Sequence, residues 1–350
     1  MKTVTVNTAK EYAVMIGSGL LSTLGKQIQG ICPAERVAIV SDSNVYPLFG
    51  ETAKKSLLDA GLSPFSFVFP AGEASKNGST YLELLNFLAE NRITRSDCIV
   101  ALGGGVVGDL AGFAAATYLR GIPYIQVPTT LLAAVDSSVG GKTAIDLPAG
   151  KNLAGAFYQP SLVLCDINTL DTLPEDIFRD GCAEVIKYGV LYDPELFSLL
   201  AKDGIRFPRE DVIARCVAWK RDVVIRDEFD TGERMKLNLG HTIGHGMEAA
   251  GNFALSHGKA VAAGMATVAR AGEKHGFCDA ETRSAIETIL QFFNLPIRTE
   301  YDADAILANA LSDKKRSGGT VNLIIPRRIG LCDIVPTPVE KLKSFIEAGM

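Results

Sequence analysis

Three of the four histidines in this 350-residue chain, His241, His245 and His257, lie within residues 227–259, DEFDTGERMKLNLGHTIGHGMEAAGNFALSHGK. Imidazoles are scarce here and they are gathered. If residues 239–250 are helical, His241 and His245 project from one face a turn apart. His257 follows after a Gly-Asn break, at the head of the small-residue run HGKAVAAGMATVARAGEKHG. Neutral ring nitrogens with a carboxylate beside them suit a divalent metal that keeps an open position. From spacing alone, both members of the His241/His245 pair are candidate ligands, as in helical zinc motifs.

Those side chains need a scaffold, and the pattern predicts one in two parts. Between 37 and 127 short β-branched runs alternate with helical periods: VAIV at 37–40, FSFVF at 65–69, CIVAL at 98–102 and YIQV at 124–127. Continuous apolar strands separated by helices imply a parallel sheet covered on both faces, whose ligands sit at the carboxyl ends of the strands. Beyond about 173 the strand signal fades, and 176–192, 194–202, 210–226, 239–250, 258–275 and 280–293 read as helices, with strand-like VNLIIP at 321–326. The expectation is an α/β nucleotide-binding domain over 1–174 and a mainly α-helical metal- and substrate-binding domain over 175–350, with a cleft between them.

Composition narrows the function. A hydrophobic share of 47% with 21% charged residues describes an ordinary globular chain, and a net charge of −5 with no basic tract argues against a nucleic-acid binder. No apolar run reaches the roughly 18–20 residues needed to span a bilayer, because Asp109, Arg120 and Asp136 interrupt the longest ones. Seven scattered cysteines without a Cys-x-x-Cys pair read as reduced thiols. The opening MKTVTVNTAKEYAVMIG lacks a signal peptide's apolar stretch and begins like a strand pair. A cytoplasmic protein is expected.

In CIVALGGGVVGDLAGFAA, glycines 103, 104, 105 and 108 follow a strand and open a helix. Bare backbone there lets a pyrophosphate approach helix N–H groups, although the pattern by itself is weak and equally describes a glycine-rich turn with no ligand. The ribose-binding acid usual about 20 residues on is missing. Asp42 and Glu73, each just past a strand end, stand in for it. The next segment, AVDSSVGGKTAIDLPAGKNLAGAFYQP, sets Asp136, Lys142, Lys151 and Asn152 among glycines, which suits a phosphate or carboxylate pocket. In DGCAEVIKYGV, Glu184 and Lys187 are three apart, the spacing of an exposed ion pair worth about 0.2–0.5 kcal/mol.

Taken together, ALGGGVVGDLAGFAA, VPTTLLAAVDSSVGGKTAID, GKNLAGAFYQP, AEVIKYG and LNLGHTIGHGMEA resemble the 3-dehydroquinate synthase family, in order and at its spacing, across about 37–326. The resemblance implies a homodimeric lyase of the sugar phosphate cyclases with NAD and Zn²⁺, or Co²⁺, as cofactors. Its substrate would be 3-deoxy-D-arabino-heptulosonate 7-phosphate, converted to 3-dehydroquinate and phosphate in the shikimate pathway of aromatic amino-acid biosynthesis. The chemistry implied is an NAD-cycled oxidation, phosphate elimination, reduction and intramolecular aldol closure.

By the same resemblance Glu184, His241 and His257 would hold the metal, and His245 would carry protons. Asp230 stands where the family commonly has a glutamate to orient that histidine, with Glu228 as the substitute. Arg120, Asp136, Lys142, Asn152, Lys187, Lys220, Arg234, Asn238 and Lys314 would line the substrate site, Lys315 being the neighbour that competes with Lys314. Cofactor positions map onto Asp42, Gly72, Glu73, Lys76, Gly105, Val106, Val107, Gly108, Asp109, Thr129, Thr130, Lys142, Lys151, Thr169 and Thr172. Thr169 and Thr172 read equally well as helix caps. Other readings are a 2-deoxy-scyllo-inosose synthase-like cyclase, a glycerol dehydrogenase-like oxidoreductase and a nucleotide-binding regulatory module. Arg234 in GERMKLNLGH favours a carboxylate-bearing substrate, hence the synthase.

Overall fold

A computed structural model describes residues 1–251, 254–310 and 319–350. The chain divides into two compact units, Met1–Pro174 with Arg209–Ile225, and Glu175–Pro208 with Arg226–Met350. A helix near 209–225 thus groups with the first unit, which a helical period cannot reveal because it carries no information about the partner.

The first unit opens with β1 (Lys2–Asn7) and β2 (Glu11–Gly17), an antiparallel pair with Val4 opposite Val14. There follow α1 (Leu24–Gln29), β3 (Arg36–Asp42), α2 (Tyr46–Asp59), β4 (Ser63–Phe69) and α3 (Gly78–Glu90). Next come β5 (Cys98–Gly103), α4 (Gly105–Thr117), β6 (Tyr124–Pro128), the hairpin β7 (Lys142–Leu147) and β8 (Gly150–Phe157), and β9 (Leu162–Asp166). Among the described residues seven strands form one sheet in the order β1-β2-β9-β6-β5-β3-β4, parallel beyond the first pair.

Alternate side chains feed opposite faces. Val37, Ile39, Val100 and Leu102 join Leu24 and Leu57, whereas Ala38, Val40, Ile99 and Ala101 join Leu84 and Leu110. Both faces are dry, which is why these strands read as unbroken apolar runs. Because β3, β5, β6 and β9 run the same way, their ends at Asp42, Gly103, Pro128 and Asp166 share one edge of the sheet.

At the opposite edge Asp97 is buried, and its carboxylate accepts from the backbone N–H of Glu35 (3.1 Å), Arg36 (2.8 Å) and Thr94 (2.8 Å) and from the Thr94 hydroxyl (2.8 Å). Burial opposes its charge, but those donors hold its pKa below the ordinary 3.8. Asp97→Ala leaves several donors unanswered and is expected to cost roughly 3 kcal/mol in urea unfolding at pH 7. A depressed carboxyl pKa stabilises above about pH 4 and loses its effect as pH falls through the folded value, so the gap between variant and parent should close in acid.

The second unit carries α5 (Glu175–Leu191), α6 (Pro194–Asp203), the end of α7 (Arg209–Arg226), α8 (His241–Ala250), α9 (His257–Lys274), α10 (Ala280–Phe292) and α11 (Ala303–Ala310). A second hairpin, β10 (Thr320–Arg328) with β11 (Leu331–Pro338), precedes α12 (Val339–Gly349). Ile243 and Met247 of α8, Ala263 and Val268 of α9, Leu323 and Ile325 of β10 and Phe345 of α12 share one core. Helices α8 and α9 meet almost backbone to backbone: a Cβ at Gly264 would stand 2.1 Å from the Gly240 carbonyl oxygen, and one at Gly244 2.9 Å from that of Ala260. The small residues of α9 are therefore what lets the two histidine-bearing helices approach.

Candidate active-site groups

In the second unit α5 contributes Glu184, α8 His241 and α9 His257, and the three side chains converge. Glu184 Oε1 lies 3.4 Å from His241 Nε2 and 3.2 Å from His257 Nε2. Its other oxygen, Oε2, pairs with the Lys187 ammonium, both side chains being 1% exposed. Burial alone would raise the Glu184 pKa, yet Lys187 and the two imidazoles hold it well below the usual carboxylate range. The three-apart spacing is an ion pair after all, but a buried one whose second oxygen faces the histidines.

Each imidazole is held through its other nitrogen. His241 Nδ1 donates to the Leu239 carbonyl at 3.0 Å, and His257 Nδ1 to Glu248 Oε1 at 3.1 Å, which leaves both Nε2 nitrogens directed at Glu184 Oε1. Burial disfavours a charged His257 ring, but Glu184 and Glu248 raise its pKa to about 10. One carboxylate oxygen with two imidazole nitrogens converging on it is a donor set of zinc type once the rings are neutral, and its chemistry fits a divalent cation. His245 is exposed one turn along α8, its ring centre 5.4 Å from that of His241 and 5.9 Å from that of His257.

The start of α9 is fixed from α5. Asp180 Oδ1 accepts from the Ser256 hydroxyl at 2.5 Å and from the Lys259 backbone N–H at 3.0 Å, capping the helix one turn before Glu184. A Cβ on Gly258 would stand 1.9 Å from the Asp180 carbonyl oxygen. One helix thus supplies both a candidate ligand and the anchor for another. Neither Asp180 nor Glu248 stood out in the sequence; the His245–Glu248 spacing of three was the available signal.

Elsewhere in this unit Asp227 builds the 227–234 loop, accepting from the N–H of Thr231 (2.9 Å), Gly232 (2.7 Å) and Arg234 (3.0 Å). Arg234 is buried and donates from Nη1 to the Glu228 carbonyl at 2.6 Å. Asp230 takes a positive φ of 58° in that loop, and Asn238 is half-buried two residues before Gly240. Lys314, with Lys315 and Arg316, lies outside the described residues.

In the first unit the glycine turn behaves as a cradle. A Cβ on Gly104 would meet Thr130 Cγ2 at 3.1 Å and one on Gly105 would meet Ser137 Oγ at 3.3 Å. The hydroxyl of Thr129 is buried with no hydrogen-bond partner among the described residues. A turn whose N–H groups open a helix, beside a buried hydroxyl that lacks a partner, fits a nucleotide phosphate. Val107 and Gly108 instead pack α4 down, against Gly103 and Gln126; Val106 is half-buried. The Asp42 carboxylate accepts from Asn44 N (2.8 Å) and Val45 N (2.9 Å), both on Oδ1. Thr169 and Thr172 donate to the carbonyls of Asp166 (2.8 Å) and Thr169 (3.0 Å), inside the short helix Ile167–Thr172 whose N-cap is Asp166, so neither is the helix cap that was the other reading of these threonines.

Lys76, 4% exposed, ties these loops together. Its ammonium lies 2.9 Å from Glu73, 3.3 Å from Asp109 and 3.8 Å from Asp146, and donates to Asn152 Oδ1 at 2.7 Å. Glu73 also lies 3.7 Å from Lys151, and Gly72 precedes it at a φ of 112°. Burial raises the Asp109 pKa to about 6 against the pull of Lys76. Lys220 of α7 pairs with the Asp136 carboxylate and donates to its backbone carbonyl at 2.6 Å. Lys142 and Arg120 are exposed, the latter at a positive φ of 68°.

The family model described as 3-dehydroquinate synthase N-terminal matches residues 66–180, and its C-terminal counterpart matches 181–316. The 3-dehydroquinate synthase of Pelobacter propionicus is 46% identical over 354 residues, with 99% of each chain covered. A solved 2-deoxy-scyllo-inosose synthase complexed with carbaglucose-6-phosphate, NAD⁺ and Co²⁺ is 25% identical, with a TM-score of 0.90 and 100% of both chains covered. A 2-epi-5-epi-valiolone synthase from Streptomyces hygroscopicus, solved with NAD⁺ and Zn²⁺, is 28% identical, with a TM-score of 0.89 and coverage of 99% of this chain and 97% of that one. On two family models that together span most of its length, and on a relative close to half identical from end to end, this chain belongs to the 3-dehydroquinate synthase family.

Proposed function

We propose that the chain converts 3-deoxy-D-arabino-heptulosonate 7-phosphate to 3-dehydroquinate and phosphate, binding NAD on residues 1–174 and a divalent metal, Zn²⁺ or Co²⁺, on residues 175–350. The observation that carries this reading is the convergence of Glu184, His241 and His257 on one point. Those three side chains would hold the ion. The glycine turn at 103–105 with Thr129 and Thr130, the acids Asp42, Glu73 and Asp109, and the cations Lys76 and Lys151 would hold the dinucleotide. When bound, the pair supplies reversible hydride exchange and a Lewis-acid pull on an alcohol oxygen.

The protein's own residues do the rest. His245 stands exposed beside the ligand cluster, where a ring nitrogen would take up and return the proton. Asp230 or Glu228 would orient it. Arg234 is pinned by the Glu228 carbonyl, so its planar fork is already set for a carboxylate or phosphate. The family resemblance further assigns Lys187, Asn238, Lys314, Arg120, Asp136, Lys142, Asn152 and Lys220 to an anionic sugar phosphate. A homodimer acting in the cytoplasm is part of the same proposal; among the described residues no helix is long and apolar enough to cross a membrane.

The test is direct. Protein supplied with Zn²⁺, NAD⁺ and the heptulosonate phosphate should release phosphate and form the carbocycle with no net NADH. Absence of phosphate release from metal-loaded protein refutes the synthase reading, and NADH accumulating in step with substrate consumed would mark a dehydrogenase.

A further inference from the structure

We infer that Glu248 is a positioning residue for the metal site: its carboxylate accepts a hydrogen bond from His257 Nδ1–H and so fixes that ring with Nε2 directed at Glu184. This rests on the metal reading of Glu184, His241 and His257 and goes beyond it, because Glu248 belongs to neither the ligand set nor the proton carrier.

The geometry is specific. Glu248 sits on α8, seven residues after His241, with its side chain 4% exposed, and its Oε1 lies 3.1 Å from His257 Nδ1 on the neighbouring helix. His257 therefore stands between two carboxylates, Glu248 on Nδ1 and Glu184 on Nε2 at 3.2 Å. His245, Glu248 and His257 also lie within ligand distance of one another. An ion on the Glu184 side uses His257 Nε2, however, and leaves Nδ1 to Glu248.

The two candidate imidazole ligands differ in what holds them. His241 donates to a neutral carbonyl, that of Leu239, whereas His257 donates to a carboxylate. A carboxylate behind an imidazole locks the tautomer and makes the far nitrogen a better donor to a cation. It also adjusts the charge of the site. Glu184 is already matched by Lys187, so Glu248 supplies the negative charge that offsets part of the ion's two positive ones.

The experiment measures Zn²⁺ affinity by competition with a chromophoric chelator, and the Co²⁺ d–d absorption spectrum, on full-length protein and on Glu248→Ala and Glu248→Gln. Glu248→Ala should bind Zn²⁺ roughly 10–100-fold more weakly and shift the Co²⁺ bands. Glu248→Gln, which keeps the volume and an acceptor oxygen but loses the charge, should fall between. Thermal unfolding without metal identifies a variant that has simply failed to fold, in which case Glu248→Gln decides. Parent protein that binds Zn²⁺ while folded Glu248→Ala and Glu248→Gln bind it within twofold, with unchanged Co²⁺ spectra, overturns the role of Glu248 and leaves the metal reading standing. Parent protein that binds neither ion overturns both.

Discussion

Replacing Glu184 by glutamine is expected to strip the metal from the protein and to lower kcat/KM by about 10³-fold or more. A buried carboxylate is the one anionic member of the donor set, its Oε1 facing two imidazole nitrogens at 3.2 and 3.4 Å. An amide keeps the volume, and its oxygen can still accept from Lys187, but it carries no charge for a divalent ion. Losing a Lewis acid worth about 4 kcal/mol in the transition state corresponds to about three decades in rate. Glutamine is preferred to alanine because alanine would also leave the buried Lys187 ammonium unpaired, a further cost of about 3–5 kcal/mol in stability. Metal content after dialysis and phosphate release read the two effects separately. A variant that keeps its metal and its rate contradicts the assignment.

The second large effect is expected from Lys76→Met. This one ammonium is shared by Glu73, Asp109, Asp146 and Asn152, so its removal takes the common cation from three acids and leaves Lys151, 3.7 Å from Glu73, as the cation still beside them. A stability loss of roughly 3 kcal/mol at neutral pH is expected, together with weaker NADH binding, because the loop after β4 and the β7–β8 hairpin lose the buried side chain that joins them and keep the backbone link from Asp146 N to the residue 76 carbonyl. The pH dependence has a definite sign. Burial would lower the Lys76 pKa, but Asp109 and Glu73 outweigh it and hold it above 10.5, so the stabilisation is present below that pH and lost above it. Asp109 in the parent titrates at about 6, and higher once Lys76 is gone. Below pH 6 the carboxyl is neutral in both proteins, so the gap should narrow at pH 5 relative to pH 7.5 in urea unfolding. A gap that widens in acid contradicts this account.

How much of this was legible beforehand depends on whether a residue's environment is written locally. Strands such as VAIV and CIVAL are buried on both faces, so their apolar runs announced a parallel sheet and placed Asp42 and the glycine turn at strand ends. Helices α5 to α10 lie where their sequence periods put them, although α5 and α9 are buried all round over 181–191 and 260–269. The strand β11 did not stand out because Pro336 and Pro338 interrupt it, tolerable only where a backbone N–H is not required by a second neighbour. Strand β8 is partly exposed on both faces, and β7 buries Thr143 and Ile145 on one face but offers a polar residue at the first of them, so the hairpin shows no apolar alternation to read.

The site divides the same way. The histidine cluster was visible because imidazoles are rare, but spacing alone did not say which of them share a point; only the family resemblance named His241 and His257 with Glu184. His241 and His245 are neighbours along α8, yet His241 meets Glu184 and His257, from two other helices. Glu184 by itself looked like half of a surface ion pair; only tertiary packing buries it. Glu248 and Asp180 act through a neighbouring helix, and no spacing within their own helix records that.

The central claim is that one cation is held by Glu184, His241 and His257 while His245 stays outside the bonding shell. Anomalous diffraction at the zinc edge from metal-loaded crystals measures this most directly. The prediction is a single peak within about 2.0–2.2 Å of Glu184 Oε1, His241 Nε2 and His257 Nε2, with both His245 nitrogens beyond bonding distance. A peak bonded to His245, or one placed away from Glu184, would contradict it.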